Sequence, residues 1–266
     1  MDVVTEIEEA FVAHWSVFGH WAQGELHEED GILRFETPIR HLPYNGVIRT
    51  RIEGDADAAV ARVVDLFRAR GVQFFWLVHP SAHPADLSDR LAAQGLHAVD
   101  NATGMSLELA DWKGSGPPTG VLYREVLDAA DLRAYQELTV DYWEVSDEED
   151  AALVGEMQRE WGPGRAPGHR YLALVDGVPA GKGYVSFAGP PGVAAIYGMS
   201  VRPEARGRGI AGGLTTMLLN RAKEVGSRRV VLHSTEMAVG VYRRSGFVER
   251  CRFTVFATAP LWSHGG

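Results

Sequence analysis

Hydrophobic positions recur every three or four residues over Ala129–Tyr142 and over residues 211–224, so both stretches are predicted to be amphipathic helices. Two apolar runs flank the turn Asp176-Gly177, which is the pattern of a β-hairpin. Gly226 follows the second helical stretch and is typical of a residue that ends a helix. The other predicted elements are a helix opened by a capping box at 146–149, strands at 171–175, 178–187, 193–201, 229–233 and 251–257, and a helix at 237–244. This order predicts an α/β (α+β) chain whose sheet begins antiparallel and then gains a buried parallel strand.

The first half of the chain repeats the order of the second half. The matching pairs of segments are 45–47 with 197–199, 75–79 with 229–233, and 91–96 with 242–247. Self-similarity of this kind indicates an internal duplication. The one segment dense in glycine and proline, residues 111–120, lies between the copies and predicts a boundary, with domains at 1–112 and 121–266 joined by a linker at 113–120.

The sequence Arg206-Gly207-Arg208-Gly209-Ile210-Ala211 stands where a predicted strand gives way to a predicted helix. Glycines let backbone N–H groups approach an anion closely, arginines neutralise it, and the start of a helix adds unpaired N–H groups and a positive dipole end. The loop therefore predicts a pyrophosphate site, although a plain solvated loop has the same composition.

The strand, the Arg-x-x-Gly-x-Ala loop, the helix, the next strand and a Tyr-x-x-x-Gly-Phe segment resemble the GNAT acetyltransferase family over roughly residues 121–258. Arg206, Gly209 and Ala211 fall at that family's Q/R-x-x-G-x-G/A positions. The resemblance implies two GNAT-like domains, each with a mixed, mainly antiparallel twisted sheet flanked by helices. It also implies that acetyl-CoA is the co-substrate, bound by Met199, Ser200, Val201, Arg206, Gly207, Arg208, Gly209, Ile210, Ala211, Gly212 and Thr235.

The same resemblance implies that the backbone at Met199 polarises the thioester carbonyl and that Tyr242 is the general acid. A tyrosine stays protonated at neutral pH and can protonate a departing thiolate. The alternative is a tyrosine that only packs its ring and hydrogen-bonds outward. Residues 194–196 offer no carboxylate as a base, which leaves His233 as the nearest titratable candidate, with a buried structural role as the alternative. Thr235 stands where many relatives have asparagine.

The first half lacks these features. The alignment puts Asp55 and Asp57 opposite Gly207 and Gly209, and Leu91 opposite the tyrosine. Carboxylates repel a pyrophosphate and leucine cannot donate a proton, so we expect a degenerate GNAT-like domain without a cofactor site.

Composition limits the partners. The net charge is −9, and the acidic excess lies in residues 1–112, which disfavours nucleic acid and anionic membranes. The lone Cys251 excludes an intramolecular disulfide, and the scattered histidines predict no metal site. The start of the chain does not read as a signal peptide and no run is long enough to span a membrane, so a cytoplasmic location is expected. The acidic residues at 144–150 suit either a solvated helix start or the attraction of a cationic amine.

These features together predict an acetyl-CoA-dependent N-acetyltransferase that acts on a primary amine of a small molecule or peptide, as a monomer or homodimer. Two alternatives remain, a noncatalytic acyl-CoA-binding sensor and another nucleotide-phosphate binder.

Overall fold

The computed structural model describes residues 1–114, 116, 119–162 and 167–259. The helices are α1 (Val3–Gly19), α2 (Ala56–Arg70), α3 (Leu87–Ala93), α4 (Ala129–Tyr142), α5 (Glu148–Glu160), α6 (Ile210–Glu224) and α7 (Val239–Arg244). The strands are β1 (Glu25–Glu29), β2 (Ile32–Glu36), β3 (Gly46–Thr50), β4 (Phe75–Val78), β5 (His97–Glu108), β6 (Val121–Glu125), β7 (Gly168–Val175), β8 (Val178–Ser186), β9 (Val193–Val201), β10 (Arg229–Ser234) and β11 (Val248–Ala257). The mixed α/β class is as predicted.

The chain forms two compact units, each built from separate segments. Unit one contains Met1–His14, Thr103–Tyr142 and Val154–Arg250, and unit two contains Trp15–Ala102, Trp143–Leu153 and Cys251–Gly266, as far as these residues are described. The predicted division at 113–120 stays a prediction, and Ser115, Pro117 and Pro118 of that linker lie outside the described residues.

In unit one, β6, β7, β8 and β9 form an antiparallel series in that order. Strand β10 is parallel to β9, and β5 is antiparallel to β10. The predicted hairpin is present, with Val175 paired to Val178 and positive φ angles at Asp176 and Gly177. One face of the sheet carries Ala173 and Ile196 into the core with α6, and the other carries Leu172 against α4. The sheet is therefore covered on both faces, as its apolar strands require.

The part of α1 up to His14 belongs to unit one, which the sequence did not predict. The carboxylate of Glu6 is buried and pairs with both Arg228 and Arg229 at the start of β10. Phe11 packs edge-on against His233, with ring centroids 4.6 Å apart. These contacts join residues more than 200 positions apart, so local patterns could not reveal them.

In unit two, β1, β2 and β3 form an antiparallel series, β3 is parallel to β4, and β4 is antiparallel to β11. Val60, Val64 and Phe67 of α2 are fully buried in its core. The order β3-α2-β4-α3-β5 in the first half matches β9-α6-β10-α7-β11 in the second. In both halves a long helix connects two parallel strands, as the internal duplication predicts.

Candidate active site

The predicted phosphate loop leads into a helix whose first turn has no side-chain cap. Gly209 is the N-cap of α6, with φ of 77° in the left-handed region, and no side chain accepts from the first N–H groups. No acidic residue lies in the first turn. Gly207 also has a positive φ, and the space beside its Cα is open. The loop thus offers unpaired amides and a positive helix end to an anion, which fits a pyrophosphate group.

A cleft of about 660 Å³ in unit one brings most of the predicted site residues together. Its lining includes Met199, Ser200, Val201, Arg206, Gly207, Gly209, Ile210, Ala211, Gly212, Thr235 and Tyr242. Arg208 and His233 are not in the lining. Tyr142, Thr216, Met237 and Arg244 also line the cleft. They lie at positions outside the sequence motif, which therefore did not point to them.

Strands β9 and β10 separate beside this cleft. Their parallel pairing ends at Ile196 and Leu232, although β9 continues to Val201 and β10 to Ser234. The separated part of β9 includes Met199, whose backbone was predicted to contact the thioester. The backbone beyond Ile196 is therefore not engaged by β10 and can face a ligand.

A bulge in β9 accompanies the separation. Lys182 pairs with Ser200 and Tyr184 with Tyr197, so Gly198 and Met199 together stand opposite the single residue Gly183. Gly198 has φ of 59°, and a Cβ there would lie 3.3 Å from the Tyr135 hydroxyl. A Cβ on Gly183 would lie 2.5 Å from the sulfur of Met199. The positive φ explains why glycine is needed at position 198, and the absence of a side chain at Gly183 leaves room for the side chain of Met199.

Tyr242 lies on α7 and is buried, with its ring edge-on to Phe247 at 5.8 Å. Gly246 ends the helix with a positive φ, and the amide of Phe247 donates to the carbonyl of Tyr242 at 3.0 Å. Burial raises the pKa of the Tyr242 hydroxyl, and Tyr142 nearby raises it further. The hydroxyl is therefore protonated at neutral pH, as a general acid requires.

His233 lies on the other face of β10 from the buried Leu232 and contacts aromatic residues. Its ring stacks parallel to Tyr197 at 6.2 Å, and Tyr197 in turn stacks on His14 at 3.8 Å. With Phe11 at its edge, the ring belongs to this aromatic cluster. The structural alternative for His233 gains support from these contacts, while its role as a base stays a prediction.

Lys182 was missed by the sequence analysis. It is only 2% exposed, and its Nζ donates to the carbonyl oxygen of Gly198 at 2.9 Å. The ammonium group also lies 4.9 Å from the ring centre of Tyr135. A lysine in a predicted hairpin strand normally faces solvent, so only the packing of α4 on the sheet reveals its position.

The acidic segment at 144–150 pairs with Arg40, and both belong to unit two. Arg40 contacts Asp147 at 2.9 Å and Glu149 at 3.3 Å, and its backbone N–H donates to Asp150 at 3.0 Å. The N-cap of α5 is Asp147, whose Oδ1 accepts from the amides of Glu149 and Asp150, so the prediction that Ser146 caps the helix is wrong. These contacts favour the structural reading of the segment over attraction of an amine.

Helix α2 of the first half, which corresponds to α6, has the carboxylate of Asp55 at its start. Asp55 is the N-cap of α2, and its carboxylate accepts from the amide of Ala58 at 3.1 Å. Asp55 thus matches Gly209, not Gly207, and the expected register was wrong by two residues. Asp57 lies inside the helix and pairs with Arg90, and Leu91 is fully buried in the core. The segment before this cap is Arg51-Ile52-Glu53-Gly54, which has one glycine, and the amides of Arg51 and Ile52 donate to backbone carbonyls of Gly31 and His83.

Among the described residues, no group of three or more His, Cys, Asp or Glu side chains is placed to hold a metal ion. Within the same part of the chain, no helix has the length and apolar character needed to cross a membrane.

The fold is shared with solved structures of acetyltransferases. The model of the acetyltransferase (GNAT) family matches residues 132–247, the segment that supplies nearly all of the cleft. The chain is also 28% identical over 191 residues to the mycothiol acetyltransferase of Cellulomonas flavigena. That match covers 65% of this chain and 55% of the relative, so the chain spans about half of the relative's length.

Solved structures share the fold over most of the chain. A GCN5-related N-acetyltransferase from Kribbella flavida has a TM-score of 0.67 at 19% identity, covering 94% of this chain and 95% of the other. A tandem GNAT protein from the clavulanic acid biosynthesis pathway has a TM-score of 0.61 at 17% identity, covering 98% and 95%. A GCN5-related N-acetyltransferase from Sphaerobacter thermophilus has a TM-score of 0.58 at 18% identity, covering 88% and 75%. At these identities the matches show a shared fold and carry no information about the substrate.

Proposed function

We propose that this chain is an acetyl-CoA-dependent N-acetyltransferase that transfers the acetyl group directly to a primary amine. The observation that carries the proposal is one cleft formed by the uncapped start of α6, the separated end of β9 and the buried hydroxyl of Tyr242. Acetyl-CoA supplies the activated acyl group when it is bound.

Different residues along the cleft bind the pyrophosphate, stabilise the carbonyl oxygen and protonate the sulfur. The amides at Gly209–Gly212 and the side chain of Arg206 face the pyrophosphate. The open backbone of Met199 donates to the carbonyl oxygen, on which negative charge develops as the amine attacks. The amine nitrogen bonds to the carbonyl carbon, the carbon–sulfur bond breaks, and Tyr242 gives its proton to the departing sulfur. The nitrogen loses one proton as the amide forms, and this proton returns Tyr242 to its protonated form through solvent.

The amine must reach the carbonyl without its extra proton. An amine with a pKa near 10.4 is neutral in only about a thousandth of molecules at pH 7.4, which is a deficit of roughly 4 kcal/mol. A base or a desolvating wall has to offset this deficit. His233 is the proposed base from the sequence, but its aromatic contacts and its absence from the cleft lining weaken this role.

The first experiment is an isothermal titration of the full chain with acetyl-CoA, with ATP as the control ligand. We expect saturation near one site per chain for acetyl-CoA and much weaker heat for ATP, because the cleft extends past the phosphate loop to β9. Release of free thiol is then followed with a panel of primary amines. Absence of acetyl-CoA binding at millimolar concentration, weaker than roughly −4 kcal/mol, would contradict the proposal.

A noncatalytic acyl-CoA sensor is the second candidate. It is favoured by Ala194, Ala195 and Ile196, which place no carboxylate on the strand before the loop. A sensor would bind acetyl-CoA in the same titration and release no thiol with any amine in the panel. The two candidates therefore differ in turnover and agree in binding.

A further inference from the structure

The amine of Lys182 is buried next to the bulge that opens β9. Its Nζ lies 2.9 Å from the carbonyl oxygen of Gly198, and that oxygen belongs to the peptide group whose N–H is on Met199. One peptide group therefore receives a hydrogen bond from Lys182 at one end and presents the Met199 amide at the other. This amide belongs to the part of β9 that β10 no longer pairs with.

The surroundings of Lys182 do not explain the lysine as a simple structural anchor. Tyr135 and Tyr142 of α4 place their ring centres 4.9 and 5.8 Å from Nζ. Among the described residues no carboxylate forms an ion pair with this amine, and Arg170 of β7 adds a repulsive positive charge. Burial and, to a lesser extent, Arg170 lower the pKa of Lys182 to about 7.

A buried amine of this kind is costly for the fold. An apolar side chain of similar length would fill the same volume between α4 and the sheet without the desolvation cost. The hydrogen bond to Gly198 is the one specific polar contact that the amine makes among the described residues, so that contact is where its function is to be sought.

We propose that Lys182 is a positioning residue that fixes and polarises the Gly198–Met199 peptide group, so that the Met199 N–H binds the carbonyl oxygen of the thioester. This inference rests on the proposed acetyl transfer. A hydrogen bond accepted by an amide oxygen makes the N–H of the same amide a stronger donor, and such chains gain about 10–30% per bond. The fixed peptide plane also removes the need for the amide to reorient as charge develops.

The test uses the infrared carbonyl stretch of acetyl-CoA labelled with ¹³C at the thioester carbon, recorded on the full chain without any amine. Binding to the wild type is expected to lower the stretching frequency relative to free acetyl-CoA. Lys182→Met keeps the length of the side chain and removes the donor. We expect it to bind acetyl-CoA with a Kd within about threefold of wild type and to lose half or more of the frequency shift.

Two controls keep the result specific. Lys182→Arg keeps a donor and should retain more of the shift than the methionine variant. Lys223→Met changes an exposed lysine at the end of α6 and should retain all of it. A purely structural role would alter thermal stability in Lys182→Met and leave the carbonyl shift of the bound ligand as it is in the wild type.

The wild type itself provides a readout that does not depend on the variant folding. The shift should decrease as pH rises from 6 to 9, because a neutral amine donates more weakly than an ammonium. Burial raises the pKa of the Tyr135 hydroxyl that faces Lys182, so Tyr135 does not titrate in that range.

The possible failures are distinguishable. Wild type that binds no acetyl-CoA overturns the proposed function and this inference with it. If the wild type binds acetyl-CoA and Lys182→Met shows the same carbonyl frequency shift, only the role of Lys182 is overturned. If the methionine variant does not fold, a shift independent of pH in the wild type overturns it as well.

Discussion

Asp55 and Gly209 occupy the same position in the two halves of the chain, each as the N-cap of a helix of 15 residues. The carboxylate of Asp55 fills the anion site at the start of α2, whereas Gly209 leaves the corresponding amides of α6 free for a ligand. Each helix is followed by a glycine with positive φ, Gly71 and Gly226. The two halves thus share a scaffold and differ in the residue at the start of the helix, where we propose that the pyrophosphate binds in the second half.

This difference predicts the effect of Gly209→Asp. Gly209 has a left-handed backbone, which aspartate tolerates better than most residues. A carboxylate at this position would stand at the start of α6 and should repel the pyrophosphate. We expect the affinity for acetyl-CoA to fall by at least a hundredfold, measured by isothermal titration, with a melting temperature near that of wild type.

Gly226→Asp is the matched control for this charge. Gly226 has φ of 87° and open space beside its Cα, and it lies at the other end of α6. The same strain and the same charge there should leave the affinity unchanged. An equal loss in both variants would mean that strain in the helix, and not charge at the loop, causes the effect.

Tyr242→Phe tests the general acid. Removing the hydroxyl should lower kcat by about 10² to 10⁴ and change the Kd of acetyl-CoA little, because the proton is needed only as the sulfur departs. Steady-state turnover with an accepted amine and titration with acetyl-CoA measure the two quantities separately.

Tyr171→Phe is a suitable comparison, because the Tyr171 hydroxyl contacts Glu125 at 3.4 Å and does not line the cleft. It should keep turnover within about threefold of wild type. A Tyr242→Phe variant that loses binding and turnover in the same proportion would speak for packing as the role of this tyrosine.

Lys182 should also affect stability as a function of pH. Its pKa is about 7 in the folded chain against an ordinary value of 10.5, so the unfolded chain binds the proton more tightly between these values. The buried charge therefore lowers the free energy of unfolding, by up to about 5 kcal/mol. This loss of stability is complete below pH 7 and disappears as pH rises toward 10.5.

The free energy of unfolding of wild type minus that of Lys182→Met should therefore increase between pH 7 and pH 10, measured by urea denaturation at each pH. The same difference taken with Lys223→Met should be flat. A flat difference for Lys182 would mean that the amine is solvated in solution.

His79 provides the corresponding prediction for unit two on the acid side. It is 5% exposed, its Nε2–H donates to the carbonyl of Ile48, and burial lowers its pKa to about 4 from an ordinary 6.5. Unfolding therefore takes up a proton between these values, and the stability contributed by neutral His79 is lost as pH falls from 6.5 to 4, up to about 3 kcal/mol.

Wild type should lose this stability relative to His79→Gln over that range, as followed by denaturation at each pH. The exposed His97 offers the control, since His97→Gln should show no pH-dependent difference from wild type. An equal response of both variants would place the acid sensitivity elsewhere in the chain.

The features that could be predicted from the sequence are the local ones. The loop at 206–211, its flanking strand and helix, and Tyr242 four residues before Gly246 lie within short contiguous segments, so spacing alone identifies them. The hairpin turn at Asp176 follows from its two residues in the same way. Residue types and order are sufficient where the contacts are close in sequence.

The features that were missed depend on distant partners. The bulge at Gly198 follows from the pairing of β8 with β9, and the burial of Lys182 depends on α4 packing over the sheet. The contact between Glu6 and β10 joins opposite ends of the chain. Asp147 replaces Ser146 as the cap of α5 and also pairs with Arg40, a partner 107 residues away. None of these leaves a periodic signal.

The ion pairs of Glu6 also bear on how the chain folds as it is made. Arg228 follows Glu6 by 222 residues, so at a synthesis rate of about 5–20 residues per second α1 leaves the ribosome roughly 10 to 45 seconds before its partners exist. During that interval the apolar face of α1 stays exposed to solvent, and the carboxylate of Glu6 lacks the two arginines that it pairs with in the folded unit. Unit one can therefore close only after β10 has been synthesised, and nascent chains stalled before β10 are expected to be the form most dependent on chaperones.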